Sequence, residues 1–367
     1  MVTSTMGTPI SVLVKRVERL NPKVVRVTLD PGPHRGLWSF VPGGFLTFCL
    51  PFQQHGYDLR VGQHSQAPSP DVLHRSYSLV QGPQDDLPQI LVKETQAGLG
   101  SRFINRQFTE GMKLMAYPPK GRLFPESWNE DDFHFVLFAA GTGITPLYSI
   151  LQHVIDAREG NRVTLFFGNT GLKDILLKDE LEAWASHPRV TIKHLLTDGS
   201  IDDPLYAGRM DATKVPLLWN TLLSDLPKRV LISGPKGMRD AVLGTLLSLD
   251  VEPSHIRGED FHHPPHLDSP ELKTCEVIAE TPSGTIHMTY DPREEDLLEA
   301  LLDRGHDVPS SCRGGVCANC RAEILEGEVA VDNSYALTEE ERTKGWVLCC
   351  QSRPLSDKLH LQFKADR

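Results

Sequence analysis

Near its C-terminus the chain reads Ser311-Cys312-Arg313-Gly314-Gly315-Val316-Cys317-Ala318-Asn319-Cys320, three cysteines spaced Cx4Cx2C with two glycines inside the longer gap. This is the spacing of a plant-type [2Fe-2S] ligand set, which takes its fourth thiolate from further along the chain. Iron bridged by sulfide prefers sulfur donors, and four thiolates complete two tetrahedral irons. Gly314 and Gly315 carry no Cβ, so the backbone there can wrap closely around a cluster and turn N–H groups toward its sulfurs. A structural zinc site is the alternative, but such sites pair two CxxC units across a longer spacer, and this compact loop fits them poorly. The fourth ligand is one of the adjacent pair Cys349 and Cys350. Neighbours in an extended segment point opposite ways, so only one of the two can face a cluster.

At 367 residues the chain is long enough for two or three domains, each able to bury its own core. Of its seven cysteines, four go to the cluster, and Cys49, Cys275 and one of the adjacent pair are too scattered for a disulfide framework. No apolar run approaches a membrane span, and the N-terminus lacks a signal-peptide pattern, so a cytoplasmic location is expected. The net charge is −10, and from residue 274 to the end there are 10 Lys and Arg against 18 Asp and Glu. Most of the imbalance therefore lies in the cluster segment. That argues against a nucleic-acid partner, which needs a basic footprint, and suits a redox domain steered toward a basic patch on another protein. Acidic surface that only keeps the domain soluble is an equal alternative.

In chain order, residues 10–17, 24–29 and 45–50 are short β-rich runs broken by Asn21-Pro22, Pro31-Gly32-Pro33 and Pro42-Gly43-Gly44, a pattern that suggests an antiparallel barrel. Residues 51–74 have no apolar periodicity and read as one long loop. Arg75-Ser76-Tyr77-Ser78-Leu79 follows as a strand. It supplies a guanidinium, an aromatic ring and small hydroxyls of the kind a flavin needs for its phosphates, for stacking and for hydrogen bonds. After a strand at 90–93, Ala97-Gly98-Leu99-Gly100-Ser101 enters a helix over 102–107 and offers N–H groups to a phosphate. An ordinary glycine turn with a Ser N-cap is the plainer reading.

The text then changes to alternating β and α. Residues 133–138 form a continuous apolar run suited to a buried parallel strand, and Gly141-Thr142-Gly143-Ile144-Thr145-Pro146 turns into a helix over 147–157. The loop is not GxGxxG, so no Rossmann fingerprint is claimed. Strands are expected at 163–167, 190–195 and 229–232, helices at 175–184 and from the Ser233-Gly234-Pro235-Lys236 loop to Leu249. Such alternation means a parallel sheet with ligands at the carboxyl ends of its strands. A proline-rich linker with His262, His263 and His266 leads to a hairpin, 275–280 and 285–290, and a helix over 296–304 ahead of the cysteine loop.

Arg75-Ser76-Tyr77-Ser78, the Gly98 to Ser101 loop, Gly141 to Pro146 and Ser233-Gly234-Pro235 occur in this order in the ferredoxin-NADP reductase superfamily, and the C-terminal segment resembles plant-type ferredoxins. The domain order is similar to that of oxygenase reductases of the phenylacetyl-CoA epoxidase kind. The resemblance implies a multidomain protein: an antiparallel β-barrel flavin domain over 8–125, an α/β parallel-sheet NAD(P)H domain over 130–262, a linker at 263–273 and an α+β (β-grasp) ferredoxin domain over 274–367. It implies that Arg75, Ser76, Tyr77 and Ser78 hold the flavin, with Gly98, Gly100 and Ser101 at its phosphates. It places Gly141, Thr142, Gly143, Thr145, Pro146, Gly234 and Pro235 where nicotinamide meets flavin, and Phe261 beside the flavin ring. Ser78, Thr145, Ser233 and Glu259 are the positions implied to serve catalysis. Cys312, Cys317, Cys320 and, directly before Gln351, Cys350 are the implied cluster ligands. The chain departs from the pattern at Gly44, where relatives commonly have Gln, at Ser233, where many have Cys, and at Thr170, where relatives that prefer NADPH often have Arg. Lys173, Lys236 and Arg239 are the cations left for a 2′-phosphate.

What the resemblance implies is an NAD(P)H-dependent oxidoreductase with FAD, or FMN in its place, and a [2Fe-2S] cluster. Its partner would be an oxygenase, of the diiron mono-oxygenase type served in phenylacetyl-CoA epoxidation, docking at the acidic ferredoxin domain. NAD(P)H gives up two electrons as hydride and a cluster accepts one, so a flavin is required between them. The alternatives are a reductase serving a Rieske dioxygenase or a membrane desaturase, and a non-catalytic electron carrier or redox sensor.

Overall fold

The computed structural model describes residues 9–38, 41–51, 72–80, 87–95, 99–121, 123–259, 273–281, 284–292, 297–303, 308, 318, 320–331 and 337–363. The first unit contains β1 (Ile10–Asn21), β2 (Val24–Asp30), β3 (Phe45–Pro51), β4 (Val72–Ser78), β5 (Gln89–Lys93), α1 (Leu99–Gln107) and β6 (Lys113–Lys120). Its six strands form one antiparallel sheet in the order β4-β3-β6-β1-β2-β5. An isolated bridge between Leu79 and Ile90, with Val80 N–H donating to the Gln89 carbonyl at 2.9 Å, brings the two edges together into a barrel. Alternation does the filling: Val12, Val14, Val25, Val27, Leu46, Phe48 and Ile90 point inward and are fully buried. The long loop is shorter than its composition suggests, because Pro51 belongs to β3 and residues 72–74 to β4, paired from Phe45↔Ser78 to Pro51↔Val72. Residues 52–71 lie outside the described residues.

The second unit runs β7 (His134–Ala140), α2 (Ile144–Ala157), β8 (Arg162–Asn169), α3 (Lys178–Ala185), β9 (Val190–Leu196), α4 (Lys214–Trp219), β10 (Lys228–Ser233), α5 (Lys236–Ser248) and β11 (Ile256–Glu259). All five strands are parallel, in the order β11-β10-β7-β8-β9. The apolar run of β7 is explained by burial on both faces. Phe135, Leu137 and Ala139 pack with Leu147, Ile150, Leu151 and Val154 of α2, while Val136 and Phe138 pack with Val215 and Leu218 of α4 and Val242 and Leu246 of α5. Helix α2 starts at Ile144, three residues before the expected start, because Pro146 in its first turn lacks only an N–H that would have been unpaired. Helix α3 starts three residues late. Ile175, Leu176 and Leu177 are buried, yet they form a turn, with Leu177 at φ 57° immediately before Lys178. Their apolar spacing reads as a helix face, and burial of a turn produces the same text.

The core of this second unit continues into the first. Val24, Val80 and Leu91 of the barrel and Leu123 and Phe124 of the connection share one cluster with β7 and α2. Arg26 donates to Glu180 at 2.5 Å, and Gln152 Nε2 to the Val80 carbonyl at 3.3 Å, across the same junction.

The third unit contains β12 (Cys275–Thr281), β13 (Gly284–Tyr290), α6 (Leu297–Asp303), β14 (Arg321–Glu326), β15 (Val329–Val331), α7 (Glu339–Thr343), β16 (Trp346–Leu348), β17 (Ser352–Pro354) and β18 (Lys358–Gln362). Its main sheet is mixed, β13-β12-β18-β14-β16, with β12 and β18 parallel at its centre. Leu297, Leu298 and Leu301 of α6 are buried against it. A Thr338 and Glu341 capping box starts α7. The histidines of the proline-rich linker lie outside the described residues. Among the described residues no helix is long and apolar enough to cross a membrane.

Candidate functional site

Three loops converge where the first two units meet. Gly143, in the turn after β7, has no room for a side chain: a Cβ there would collide with the Ser233 carbonyl and approach Gly234 N to 2.8 Å. The two glycine loops, at the carboxyl ends of the paired strands β7 and β10, therefore form one surface. Ser233 sits opposite Ala139 on one side and Glu259 on the other. It is fully buried, and its hydroxyl has no hydrogen-bond partner among the described residues; Glu259 is 3% exposed. Thr145 Oγ1 donates to the Thr142 carbonyl at 2.9 Å, which ties the first turn of α2 back onto the glycine loop. Pro146 is buried in that turn.

The end of β4 reaches the same place. Leu79 N–H donates to the Gly44 carbonyl at 2.8 Å, and Gly43 N–H reaches Ser149 Oγ of α2 at 3.4 Å. Gly44 explains one departure from the family pattern: a Cβ there would meet the Val41 carbonyl oxygen at 2.8 Å and the Lys120 carbonyl oxygen at 3.2 Å, so a glutamine is refused. Ser78 is 5% exposed, and its Oγ has no partner among the described residues.

Along β4, Ser76 Oγ and Thr47 Oγ1 share a hydrogen bond at 2.8 Å, while Tyr77 packs at 6.0 Å from the Phe48 ring. Burial pushes the Tyr77 phenol well up from its ordinary range, with the Arg75 guanidinium partly opposing it, so the ring stays neutral. Helix α1 lies against these side chains through Gly100, where a Cβ would meet Arg75 Cγ at 2.8 Å and the Tyr77 hydroxyl at 3.1 Å. Ser101 is the third residue of α1, not its N-cap, and its hydroxyl faces Thr95 N and Thr95 Oγ1, each at 3.2 Å. Arg75 and Tyr77 are thus drawn to Gly100, with Ser101 the next residue of α1. Gly98 and Phe261 lie outside the described residues.

In the third unit, Cys320 and Cys350 are 2% and 3% exposed. They flank one end of the β14–β16 ladder, whose last pair is Arg321↔Leu348, and Cys349 N–H donates to the Cys320 carbonyl at 3.0 Å. Ala318, φ 56°, is left-handed, a sharp bend just before Cys320. Burial, with Cys320 adding to it, holds the Cys349 thiol well above the ordinary thiol range. Cys312 and Cys317 lie outside the described residues. A cavity of about 880 Å³ separates this unit from α5 and β11, lined by Arg257, Arg342 and Trp346 among others; Lys236 and Arg239, two of the cations considered for a 2′-phosphate, are on its walls.

The pockets fit the groups expected of them. The unpartnered Ser78 hydroxyl and the side-chain-free cradle at Gly100 suit a flavin, and the two described thiols suit an iron–sulfur cluster. Two further residues belong to the region. Asn169, the last residue of β8, is 8% exposed, with neither amide atom bonded among the described residues, and Asp198 follows β9. Both lie at strand carboxyl ends, the signal that marked the glycine loops, but neither belongs to a motif. Of the cations left for a 2′-phosphate, Lys236 bonds Asp240 at 2.7 Å and Arg239 is buried on α5.

Residues 137–243 match an oxidoreductase NAD-binding domain, and residues 281–355 match a 2Fe-2S iron-sulfur cluster binding domain. The fold is that of phthalate dioxygenase reductase, with a TM-score of 0.62 at 22% identity over 97% of this chain and 98% of that one. It joins an antiparallel half-barrel, an NAD-binding α/β domain and a C-terminal 2Fe-2S domain. The chain is 29% identical to the ferredoxin reductase component of 3-ketosteroid-9-alpha-monooxygenase from Rhodococcus rhodochrous, over 91% of this chain and 90% of the relative. It is 28% identical to one of the subunits of 1,2-phenylacetyl-CoA epoxidase from Escherichia coli (strain K12), over 87% of this chain and 93% of the relative. An intact type IV self-sufficient cytochrome P450 monooxygenase aligns at TM-score 0.68 and 23% identity over 97% of this chain, which spans 41% of that longer one. The chain is a pyridine-nucleotide-dependent oxidoreductase of the oxygenase-reductase type.

Proposed function

We propose that the chain takes electrons from reduced pyridine nucleotide and delivers them one at a time, through its ferredoxin domain, to an oxygenase, a diiron mono-oxygenase of the phenylacetyl-CoA epoxidase type. The observation that carries this is the convergence of three loops: Gly143 against Ser233, and Gly43 and Gly44 between the end of β4 and α2. It supports a site in which a nicotinamide held by the nucleotide unit faces a ring held by the barrel. Two rings placed face to face need no general acid or base; the protein contributes orientation and a dry environment.

Bound FAD supplies the conversion between a two-electron hydride and one-electron transfer. Arg75 and Ser101 bind its phosphates and Tyr77 stacks on it. Ser78 donates to its ring through the hydroxyl left unpartnered, and Gly100 keeps the cradle open. Ser233 and Glu259 line the opposite side, where Gly141, Thr142, Gly143, Gly234 and Pro235 leave room for the nicotinamide. Thr145 fixes the loop. Cys312, Cys317, Cys320 and Cys350 hold the cluster, and Cys349 stays a neutral buried thiol. The acidic ferredoxin domain docks on a basic patch of the oxygenase, in the cytoplasm. Absorption spectra of air-free protein, before and after addition of NADH or NADPH, test the reading. Flavin and iron–sulfur bands that bleach promptly support it; bands that neither coenzyme bleaches would make the chain a carrier.

A further inference from the structure

Reduction of an iron–sulfur cluster adds one electron and moves no bond or proton, so the ease of the step is set by the charges and dipoles around it. The segment from residue 274 onward, with 10 Lys and Arg against 18 Asp and Glu, disfavours the added negative charge. A cation fixed close to a ligand offsets that penalty.

Of the described ligand cysteines, Cys320 has such a cation directly after it in the chain. Arg321 opens β14 opposite Leu348, and the Cys349 N–H bonded to the Cys320 carbonyl extends that ladder by one residue to the ligand itself. Ala322 is fully buried, whereas Arg321 takes the other face of the strand. Glu323 lies opposite Trp346, so Trp346 is the diagonal neighbour of Arg321 on that face. The guanidinium is held on two sides. The Trp346 ring centroid lies 4.5 Å from its Cζ, and its Nη1 donates to Glu341 Oε1 at 2.7 Å. Glu341 is itself immobilised, since its Oε2 accepts from the Thr338 N–H at 2.9 Å in the capping box of α7. The two side chains of the ion pair are only 23% and 26% exposed, so water and salt screen it less than a pair on open surface.

We propose that Arg321 sets the reduction potential of the cluster: its guanidinium, fixed by Trp346 and Glu341 beside the ligand Cys320, stabilises the added electron and brings the cluster within reach of the reduced flavin. This rests on the reading of Cys320 as a cluster ligand and deepens it. Arg321 acts through its field on the ligand, as a positioning residue. Removing the cation lowers the potential. Removing the Glu341 charge leaves the cation uncompensated and raises it. A unit charge roughly 10 Å from a redox centre, at an effective dielectric of about 20, changes the oxidised-to-reduced ratio by roughly tenfold. For a one-electron couple tenfold is about 59 mV.

The test is an anaerobic redox titration of the full-length holoprotein with dithionite and mediators. The electron paramagnetic resonance of the reduced cluster gives its midpoint potential in the wild type, Arg321→Gln, Arg321→Lys and Glu341→Gln. Arg321→Gln should fall by about 59 mV. Glu341→Gln, in which glutamine can still complete the capping box, should rise by a similar amount. Arg321→Lys retains the charge and should stay close to the wild type. An ion pair that only ties α7 to β14 would lower the melting temperature of the variants and leave their potentials together. That result, or shifts of the same sign in Arg321→Gln and Glu341→Gln, would overturn the inference. A wild type without the signal of a [2Fe-2S] centre would defeat the ligand reading and the inference with it, whereas an intact signal with unmoved potentials defeats the inference alone.

Discussion

Gly143 is the residue whose replacement should reveal most about the site. Its Cβ position is occupied by the Ser233 carbonyl, so Gly143→Ala must push the two loops apart. Overpacking of this kind costs about 1–3 kcal/mol, and a displacement near 1 Å at a reacting pair costs about a hundredfold in rate. The variant should therefore melt lower and be reduced by its pyridine nucleotide about a hundredfold more slowly, measured by calorimetry and stopped-flow absorption. An unchanged rate would mean that the two loops do not jointly hold the nicotinamide. The glycines of this loop were legible in the sequence as a strand-end turn. Their contact with Ser233 was not, because it joins positions far apart in the chain and depends on β7 and β10 being neighbours. Asp198 was illegible for the same reason: in sequence it is one acid among several, and only the pairing of β8 with β9 brings it over Gly171.

Strand β7 carries a buried titratable group with a measurable consequence. His134 shares a 2.8 Å hydrogen bond with Thr164 Oγ1, and burial, helped by the Lys228 and Arg162 charges, brings its pKa down from 6.5 to about 4. Between those values the unfolded chain binds a proton that the folded chain refuses. The contribution of the neutral ring to stability is thus complete above about pH 6.5 and is lost as pH falls toward 4, about 3 kcal/mol in all. His134→Gln, which cannot charge, should show a smaller fall in Tm between pH 7 and pH 5 than the wild type; an equal fall would place the ring outside the core. Helix α1 offers a second test. Gly100→Val would drive methyl groups into Arg75 and Tyr77, and the purified variant should lose most of its flavin absorption while keeping its iron–sulfur bands. The continuous apolar text of β7 and the hairpin of β12 and β13 were legible because each period matches one environment. The turn at Ile175 to Leu177 was misread because buried turns and helix faces share apolar spacing. The six-residue α4, with Pro216 inside it, is too short to leave a periodic signal.

The three units divide the chemistry, and the cysteines show where the division is sharpest. Cys350→Ala should abolish the iron–sulfur absorption yet leave pyridine-nucleotide-dependent reduction of ferricyanide intact. Cys349→Ala should keep the cluster and cost only core packing, roughly 1 kcal/mol. If the two variants behave the other way round, the ligand is Cys349. The cluster domain was legible in the Cx4Cx2C spacing, because thiolates at such intervals have few other uses, whereas the choice between Cys349 and Cys350 and the order of the units came from the resemblance. How the barrel and the nucleotide unit share one core through Val80, Leu91 and Phe124 was not legible, since each of these reads as an ordinary strand or loop hydrophobe. The most direct test of the relay is an anaerobic titration of the holoprotein with its reduced coenzyme, following flavin absorption together with the electron paramagnetic resonance of the cluster. Bleaching of the flavin accompanied by the signal of a one-electron-reduced [2Fe-2S] centre is the outcome expected here. A flavin that bleaches while the cluster stays oxidised would contradict it.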